Sequence, residues 1–518
     1  MVIPPPRDRL LTRGAANLEW FGMSGSNGTA HADFSDLFGN IPPGWDASID
    51  ESVGSAEHTN RLKALRDSSR EVVLQKGDEV EIAHSFVDRL KALGDGLVST
   101  YERFHQYDPA TGAWERYDKD RILSAIDTYS DASVAYIDKK TDEEKTRPLM
   151  VSARLVDGIY RIALRCNVVA RDDYFATASP GVLFSNGFAA LVDGVVTLLP
   201  FSPDHRARHP LPYAFDLGAD VRPWTGFVEG LFRDDEDRDQ KAAVLQEFVG
   251  AALLGVATQY KACLVLTGSG ANGKSTFIEI VDRLFAPDGL TAIAPQEWSR
   301  SDYVSSLSSA RFNRCNELPE NDILSSEKFK AIITGEVVSA RELYKAPYNF
   351  TPRSAHLFAC NSLPGTTDHS DGFWRRFLII GFNRRFEGAG TETKSAVVER
   401  ITAILPSVAL WALHGAARLI RNGGYTVLPS SEQAKAQWRT DSNSAAGWVE
   451  NDDLVHTEDR PDFMRASRAY GQYREWCKDN GFLPVSSVKF AARLKALGVR
   501  AQRRTDGVYY GLRRKAEN

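Results

Sequence analysis

Cysteine is scarce in this 518-residue chain and nowhere clustered: Cys166, Cys263, Cys315, Cys360 and Cys477 stand far apart, with no C-x-x-C pair. That argues against a disulfide framework and against a zinc ribbon, and it suits a reducing cytosol. Long apolar runs are also missing. The most apolar stretch, 401–420, is broken by Pro406 and carries His414 and Arg418, so it predicts two core helices and no membrane span. The start, Met1-Val2-Ile3-Pro4-Pro5-Pro6-Arg7, lacks the apolar core of a secretory signal. Neither sign of charge is in surplus. Lys and Arg number 63 against 68 Asp and Glu, a net charge of −5, so any polyanion partner must be met by local clusters.

What is present has room for roughly two to four domains. Residues 1–78 are rich in Pro, Gly, Ser and Asp without a sustained period, and they predict a disordered tail with one short helix near Arg61–Arg70. Ile82, Phe86, Leu90 and Leu93 then recur at the spacing of a helix face. Phe104 to Tyr117 predicts a hairpin that turns through Asp108-Pro109-Ala110-Thr111-Gly112. A helix over Asp120–Asp127, a charged loop over Asp138–Arg147 and a helix-spaced stretch from Leu155 to Val168 follow. Strands between Val182 and Leu199, turning at Asn186-Gly187 and Asp193-Gly194, complete an α+β region over 79–235. His205 and His209 are four apart. Pro203 and Pro210 bracket them and no third ligand is evident, which predicts a surface loop rather than a metal site. Gln246 to Gly255 predicts an amphipathic helix leading into the next strand.

That strand, Ala262-Cys263-Leu264-Val265-Leu266, precedes Gly268-Ser269-Gly270-Ala271-Asn272-Gly273-Lys274-Ser275-Thr276, and Phe277, Ile278, Ile280, Val281, Leu284 and Phe285 continue at helical spacing. Strand, glycine turn and helix in this order fit G-x-x-x-x-G-K-[ST], the phosphate loop of P-loop NTPases. Glycines let backbone N–H groups converge on a phosphate, and the helix N-terminus adds partial positive charge there. Lys274 is expected to reach the β- and γ-phosphates, and the Ser275 hydroxyl to hold Mg²⁺.

A motor needs more than this loop. Ala310 to Glu320 predicts a strand ending in acid, with Glu317 placed to orient or deprotonate water; a surface turn is the alternative. Ser354 to Asn361 is a short apolar strand whose final Asn361 can meet a γ-phosphate or the lytic water at the carboxyl end of a sheet, or can simply close a turn. Arg375 and Arg376, beside Trp374, suit an arginine finger or a structural salt bridge. Thr334 to Phe350 predicts a hairpin whose tip carries Arg341, Tyr344 and Lys345. Basic groups interleaved with an aromatic suit a single-stranded nucleic-acid backbone, or a solvated hairpin.

The order of these motifs resembles the superfamily 3 helicases, and in detail the phage/plasmid and poxvirus-type primase–helicases. Gly268–Ser275, Thr334–Lys345, Ala359–Pro364 and Phe373–Arg376 carry the likeness. Asn186-Gly187, His209–Asp216 and Gln246–Gly255 look like that family's helicase-associated domain. Tyr470–Cys477, with Phe490, Leu494 and Tyr510-Gly511-Leu512, looks like its C-terminal winged helix. The resemblance implies an α/β fold: a P-loop AAA+-like superfamily 3 core over 236–440, preceded by an α+β domain over 79–235 and followed by a small winged-helix domain over 455–515. It also implies Lys274, Glu317, Asn361, Arg375 and Arg376 as catalytic residues and Gly268 to Thr276 as the ATP-binding loop. Ser275 and Glu317 would ligate Mg²⁺, and Arg341, Tyr344 and Lys345 would contact DNA. Hexameric rings acting on single-stranded and forked DNA in the cytoplasm of a bacterial or phage-infected host follow from the family, with a separate primase or polymerase as partner.

Two departures stand out. Asn316 occupies a position where many relatives have a second acid. The stretch ahead of residue 80 is too short and too poor in apolar residues for a polymerase core, so no priming activity is expected. From Lys489 to Lys515, nine Lys and Arg face one acid, Asp506, an electrostatic footprint for DNA phosphates. The expected function is therefore ATP-driven DNA unwinding in the replication of a phage, prophage or plasmid-like element. An ATP-regulated, origin-binding initiator is the alternative, and a small-molecule kinase is a third reading that has no use for the basic hairpin and tail.

Overall fold

The computed structural model describes residues 63–65, 68–69 and 71–514, apart from 94–95, 101–102, 167–168, 171–173, 319–325, 344–345, 365, 367, 369, 387–391, 443, 452–453, 458–462, 481 and 483. The chain is mixed α/β, built around a parallel sheet of five strands. These strands are β1 (Cys263–Thr267), β2 (Leu290–Thr291), β3 (Phe312–Cys315), β4 (Ala355–Cys360) and β5 (Phe377–Gly381), in the order β2-β3-β4-β1-β5. Every pairing is parallel, with Thr267 opposite Cys360 on one side of β1 and opposite Gly381 on the other. β1 and β4 are buried almost throughout, which is why they are continuous apolar runs rather than alternating ones.

One side of this core is a helix pair, α1 (Arg238–Leu254) and α3 (Leu405–Asn422), while α2 (Lys274–Asp282) follows β1. The amphipathic helix expected over 246–255 is instead longer and without a polar face: α1 begins at Arg238, and from Val244 on it is buried nearly all round. The reason is close contact with α3. A Cβ on Gly250 would lie 2.0 Å from the Ala412 carbonyl oxygen, and one on Gly415 would lie 2.4 Å from that of Gln246. Two glycines thus let the backbones meet, so no polar face remains on this part of α1. The fully buried Glu247 accepts from Arg418 Nε at 2.7 Å and from the Thr426 N–H and hydroxyl at 2.8 and 2.7 Å. Pro406 starts α3 at its first turn, where a missing N–H costs nothing.

Before the core, helices Glu79–Ala92, Lys119–Asp127 and Ala153–Ala163 pack into a hydrophobic cluster with Phe86, Ile126, Tyr129 and Ile159 at its centre. The Phe104–Tyr117 hairpin is present as Arg103–Asp108 against Ala113–Arg116. Asp108 caps its turn by accepting from Ala110 N–H and the Thr111 hydroxyl. The strands between Val182 and Leu199 form an antiparallel meander, and Asp193 and Gly194 both take positive φ at the second turn, as a type I′ turn requires.

Several expected boundaries move. Glu144–Pro148 is a strand paired with Ser133–Ile137, not a loop, because cross-strand hydrogen bonding overrides its charge; the segment does remain mostly exposed. The disordered tail does not extend to residue 78. Leu65 and Leu74 are buried, and Val73-Leu74 pairs with Ser133-Val134; residues 1–62 lie outside the described ones. Helix Arg222–Leu231 packs on the core through Trp224, which stacks on Phe277. The polar stretch 440–445 is largely helical, ending Pro429–Asp441 and opening Ser444–Asn451, so the last module starts near Ser444.

That module gathers Trp448, Tyr473, Phe490 and Leu494 around helices Ala466–Asp479 and Ser487–Ala496, with the strand pair Ala501–Arg504 and Gly507–Tyr510. No single described helix is long and apolar enough to cross a membrane. Lys394–Thr402 and Leu405–Asn422 pass such a test only together, and they are bent by 79°.

The α1–α3 contact predicts that Gly250→Ala destabilises the fold. A Cβ 2.0 Å from backbone oxygen forces the helices apart, at a cost of about 3 kcal/mol. Thermal unfolding should show a clearly lowered midpoint, and a variant melting with the wild type would contradict the packing.

Candidate functional site

The glycine-rich loop 268–276, the candidate phosphate loop, leaves β1 at its carboxyl end. Gly268, Gly270 and Gly273 have φ of +149°, +99° and +85°. A Cβ on Gly268 would sit 2.6 Å from the Phe382 carbonyl oxygen, and one on Gly273 would sit 2.6 Å from Leu231 Cδ2, so both positions require glycine. The loop is tied to the segment after β5. Asn272 Nδ2 donates to Phe382 O at 3.0 Å, Phe382 N–H to Thr267 O at 2.8 Å, and Phe386 N–H to Ala271 O at 2.8 Å. Lys274 Nζ donates to Gly268 O at 2.6 Å and to Asn272 Oδ1 at 3.2 Å. Burial pulls the Lys274 ammonium below the usual lysine range. Ser269 and Ser275 are exposed at the mouth, and Thr276 is half-buried.

A second tier holds this loop from behind. Lys241, 1% exposed, donates to Asp235 at 2.9 Å and to Gly381 O at 3.0 Å, and Asn383 Nδ2 donates to the other Asp235 oxygen at 2.9 Å. No motif marks Lys241 or Asp235 in the sequence. They fix the turn after β5 against which Asn272 is anchored.

Parallel register decides which other residues share this edge. With Thr267 opposite Cys360, Asn361 comes next to Gly268. Cys315 is opposite Phe358, and Leu318 N–H donates to Ala359 O at 2.9 Å, so Glu317 stands beside the end of β4. Both Asn361 and Glu317 are exposed. Lys274, Ser275, Asn361 and Glu317 therefore lie along one carboxyl edge. A glycine-rich turn at a helix N-terminus, an ammonium, a hydroxyl and a carboxylate are the kinds of group that would hold a nucleotide triphosphate with Mg²⁺.

Arg375 and Arg376 do not share that edge. They precede β5, whose Phe377 is opposite Cys263 at the start of β1. Strand rise separates them from the phosphate loop of the same chain by roughly 15 Å. Arg375 is exposed; Arg376 is buried, and among the described residues its Nε and Nη1 have no hydrogen-bond partner. Burial, then neighbouring Arg375, lowers the Arg376 pKa. The expected hairpin is present as Val338–Ala340 against Tyr348–Phe350. Arg341 is exposed where it leaves the first strand, and its neighbour Glu342 pairs with Arg103 at 2.7 Å; Tyr344 and Lys345 lie outside the described residues.

β3 is unusually polar for a buried parallel strand, and the structure accounts for it. Asn313, fully buried, accepts from the Thr291 hydroxyl and Ile293 N–H at 2.9 Å and donates to Ile293 O at 3.0 Å. Arg314 pairs through Nε with Asp282, the last residue of α2, at 2.5 Å. The acidic strand and the phosphate-loop helix are thus locked together by a charge pair. An arginine inside a strand was the available signal for it.

Residues 266–376 match a sequence family described as of unknown function, DUF5906. Over 155 residues the chain is 32% identical to the "Putative helicase L207/L206" of Acanthamoeba polyphaga mimivirus. That match takes in 29% of this chain and 16% of that protein, so the chain spans about one-sixth of the curated relative's length. Among solved structures, the chain is similar to the apo A form of the NrS-1 C-terminal region, with a TM-score of 0.37 and 10% identity, over 79% of this chain and 100% of that one. An apo structure of NrS-1 residues 305–718 gives a TM-score of 0.35 and 11% identity, over 77% and 100%.

The Arg314–Asp282 pair generates a test. Burial pushes the Asp282 carboxyl up to about 7 even with Arg314 drawing it down. Arg314→Ala leaves that carboxylate unpaired, and the variant should lose about 3 kcal/mol at pH 8. The sign with pH follows from the raised value. At pH 5 Asp282 is protonated in both folded forms and the deficit is smaller; as pH rises through 7 the wild type ionises beside Arg314 while the variant must keep its proton or bury an unpaired charge, so the deficit grows. Urea unfolding at both pH values checks this; an equal or larger deficit at pH 5 would contradict it.

Proposed function

We propose that the chain is an ATP-dependent, ring-forming DNA helicase of the superfamily 3 type, serving replication of a phage, prophage or plasmid-like element. The observation that carries this reading is the division of the sheet into two edges. Lys274, Ser275, Asn361 and Glu317 share the carboxyl edge, while Arg375 and Arg376 stand at the amino edge, too far to serve the same loop. A finger so placed can act only on a neighbour's nucleotide, which calls for closed assembly of like subunits. The order of the five strands, with the asparagine strand inserted beside the phosphate-loop strand, supports a P-loop AAA+-like core. Partial similarity to a protein named as a viral helicase supports the activity.

In this reading the loop N–H groups and Lys274 bind the phosphates, and the Ser275 hydroxyl and Glu317 would hold the metal. Mg²⁺, when bound, neutralises charge on the β- and γ-phosphate oxygens. Asn361 holds the attacking water or the γ-phosphate, and Glu317 orients that water and takes its proton. A neighbour's Arg375 or Arg376 stabilises the charge on the transferring group. The 338–350 hairpin, with Arg341, Tyr344 and Lys345, grips one DNA strand through its backbone.

The C-terminal module favours a second reading, an ATP-regulated initiator that binds an origin. Helix Ser487–Ala496 presents exposed Lys489 and Lys495, the adjoining strand pair carries exposed Arg503, and Arg504 lies 4.3 Å over the Tyr509 ring. Such a winged-helix-like face suits duplex phosphates. Tight binding to one duplex sequence without unwinding would select this reading.

The trans arrangement has a direct test by subunit mixing. Lys274→Ala alone, and the Arg375→Ala/Arg376→Ala double variant alone, should each lose nearly all ATP hydrolysis. Mixed in equal amounts, they should regain about a quarter of wild-type activity, the share of interfaces that join an intact loop to an intact arginine. Retained turnover in Lys274→Ala would remove the phosphate loop from the mechanism, and mixtures as inactive as their parts would remove the neighbour's arginine.

A further inference from the structure

A second basic site lies at the amino edge of the sheet, away from the phosphate loop. Here Arg311 precedes β3 and Arg353 precedes β4, and with Arg206, Arg208 and His209 they line a small, open cleft of about 70 Å³. Among the described residues, none that lines the cleft is acidic. The nearby Asp288 carboxylate is engaged by His209 Nδ1 at 2.7 Å. Arg311 is pulled down to about 9 by burial and then by Arg353 and Arg208, and among the described residues its Nη1 has no hydrogen-bond partner. Like charges in a poorly solvated cleft repel, and an oxyanion among them would remove that repulsion.

The guanidinium groups are also held in place. Arg208 lies 4.5 Å over the Phe175 ring and Arg206 lies 4.6 Å over Tyr174. Arg353 donates to Gly255 O at 3.4 Å and to Ala178 O at 3.2 Å, which fastens the 175–178 segment to the core. Ser308 and Ser309 contribute to the rim, and Phe175 and Phe350 supply aromatic wall beside the arginines. Planar donors set against rings match phosphate oxygens, and the rings suit a base next to that phosphate.

We infer that this cleft binds the phosphate of a nucleotide, either free or at a position along a nucleic-acid strand, as a second site separate from the phosphate loop. The inference does not depend on the helicase reading, because it rests on residues outside the candidate catalytic edge. Phe350 ends the hairpin's second strand, so an occupied cleft would sit at the hairpin's root.

The test uses the full chain carrying Lys274→Ala, which removes the phosphate-loop lysine from consideration. Dye-labelled ADP and a dye-labelled oligothymidylate are titrated separately by fluorescence anisotropy, with inorganic pyrophosphate as competitor. At least one probe should bind and be displaced by pyrophosphate. Arg206→Ala/Arg208→Ala should weaken it about tenfold or more, as expected for lost charge-assisted hydrogen bonds. Arg208→Lys should fall between. ADP binding identifies a free nucleotide as the source; binding of the oligonucleotide alone identifies a strand. Should the double variant melt early, Arg208→Glu at its half-buried position gives the same reading. Failure of both probes to bind, or equal affinity in wild-type and substituted clefts, overturns the inference. Absence of ATP hydrolysis in the wild-type protein would count against the helicase reading alone.

Discussion

Parallel pairing of β1 with β4 and β5 is the constraint on which the arrangement depends. Because these strands run the same way, their carboxyl ends collect on one edge and their amino ends on the other. One residue of slip would carry Asn361 away from Gly268 and swap the strand's side chains between the two packed faces of the sheet. The register is enforced by burial: Leu264, Val265 and Leu266 are at most 1% exposed, as are Leu357 and Phe358. The chemistry of the carboxyl edge and the arginines of the amino edge are both consequences of this packing.

Polar groups inside the core extend that constraint rather than weaken it. Asn313 ties β3 to the segment after β2, Arg314 ties β3 to α2, and Lys241 ties α1 to the turn after β5. Each joins an element that bears a site residue to its neighbour. A buried pair contributes little net stability, but removing one member is costly, so these contacts hold geometry more than they add free energy. The glycine-mediated approach of α1 and α3 provides the platform beneath them.

Much of this was legible in the sequence. Gly268 to Ser275 is diagnostic because its glycines, lysine and serine sit at fixed offsets between a strand and a helix. The turns at Asp108–Gly112 and Asp193-Gly194 were legible because their chemistry is local. What was not legible depends on tertiary partners. Nothing around Glu144–Pro148 distinguishes a charged loop from an edge strand until Ser133–Ile137 pairs with it. Gln246–Gly255 has polar residues that suggest an exposed face, yet Glu247 and Gln246 are consumed by α3. The placement of Arg375 and Arg376 away from their own phosphate loop follows from strand direction, which no local pattern encodes. The cleft of Arg206, Arg208, Arg311 and Arg353 joins residues nearly 150 positions apart, and each of them alone is an ordinary surface arginine.

In the proposed helicase the carboxyl edge of the sheet and the 338–350 hairpin act as one machine. The measurement that decides this is the rate of ATP hydrolysis by the purified chain, with and without single-stranded DNA. Coupling through β4, which carries Asn361 at one end and follows the hairpin at the other, predicts a rate that rises when DNA is added. A rate indifferent to DNA, or no hydrolysis under either condition, would contradict it.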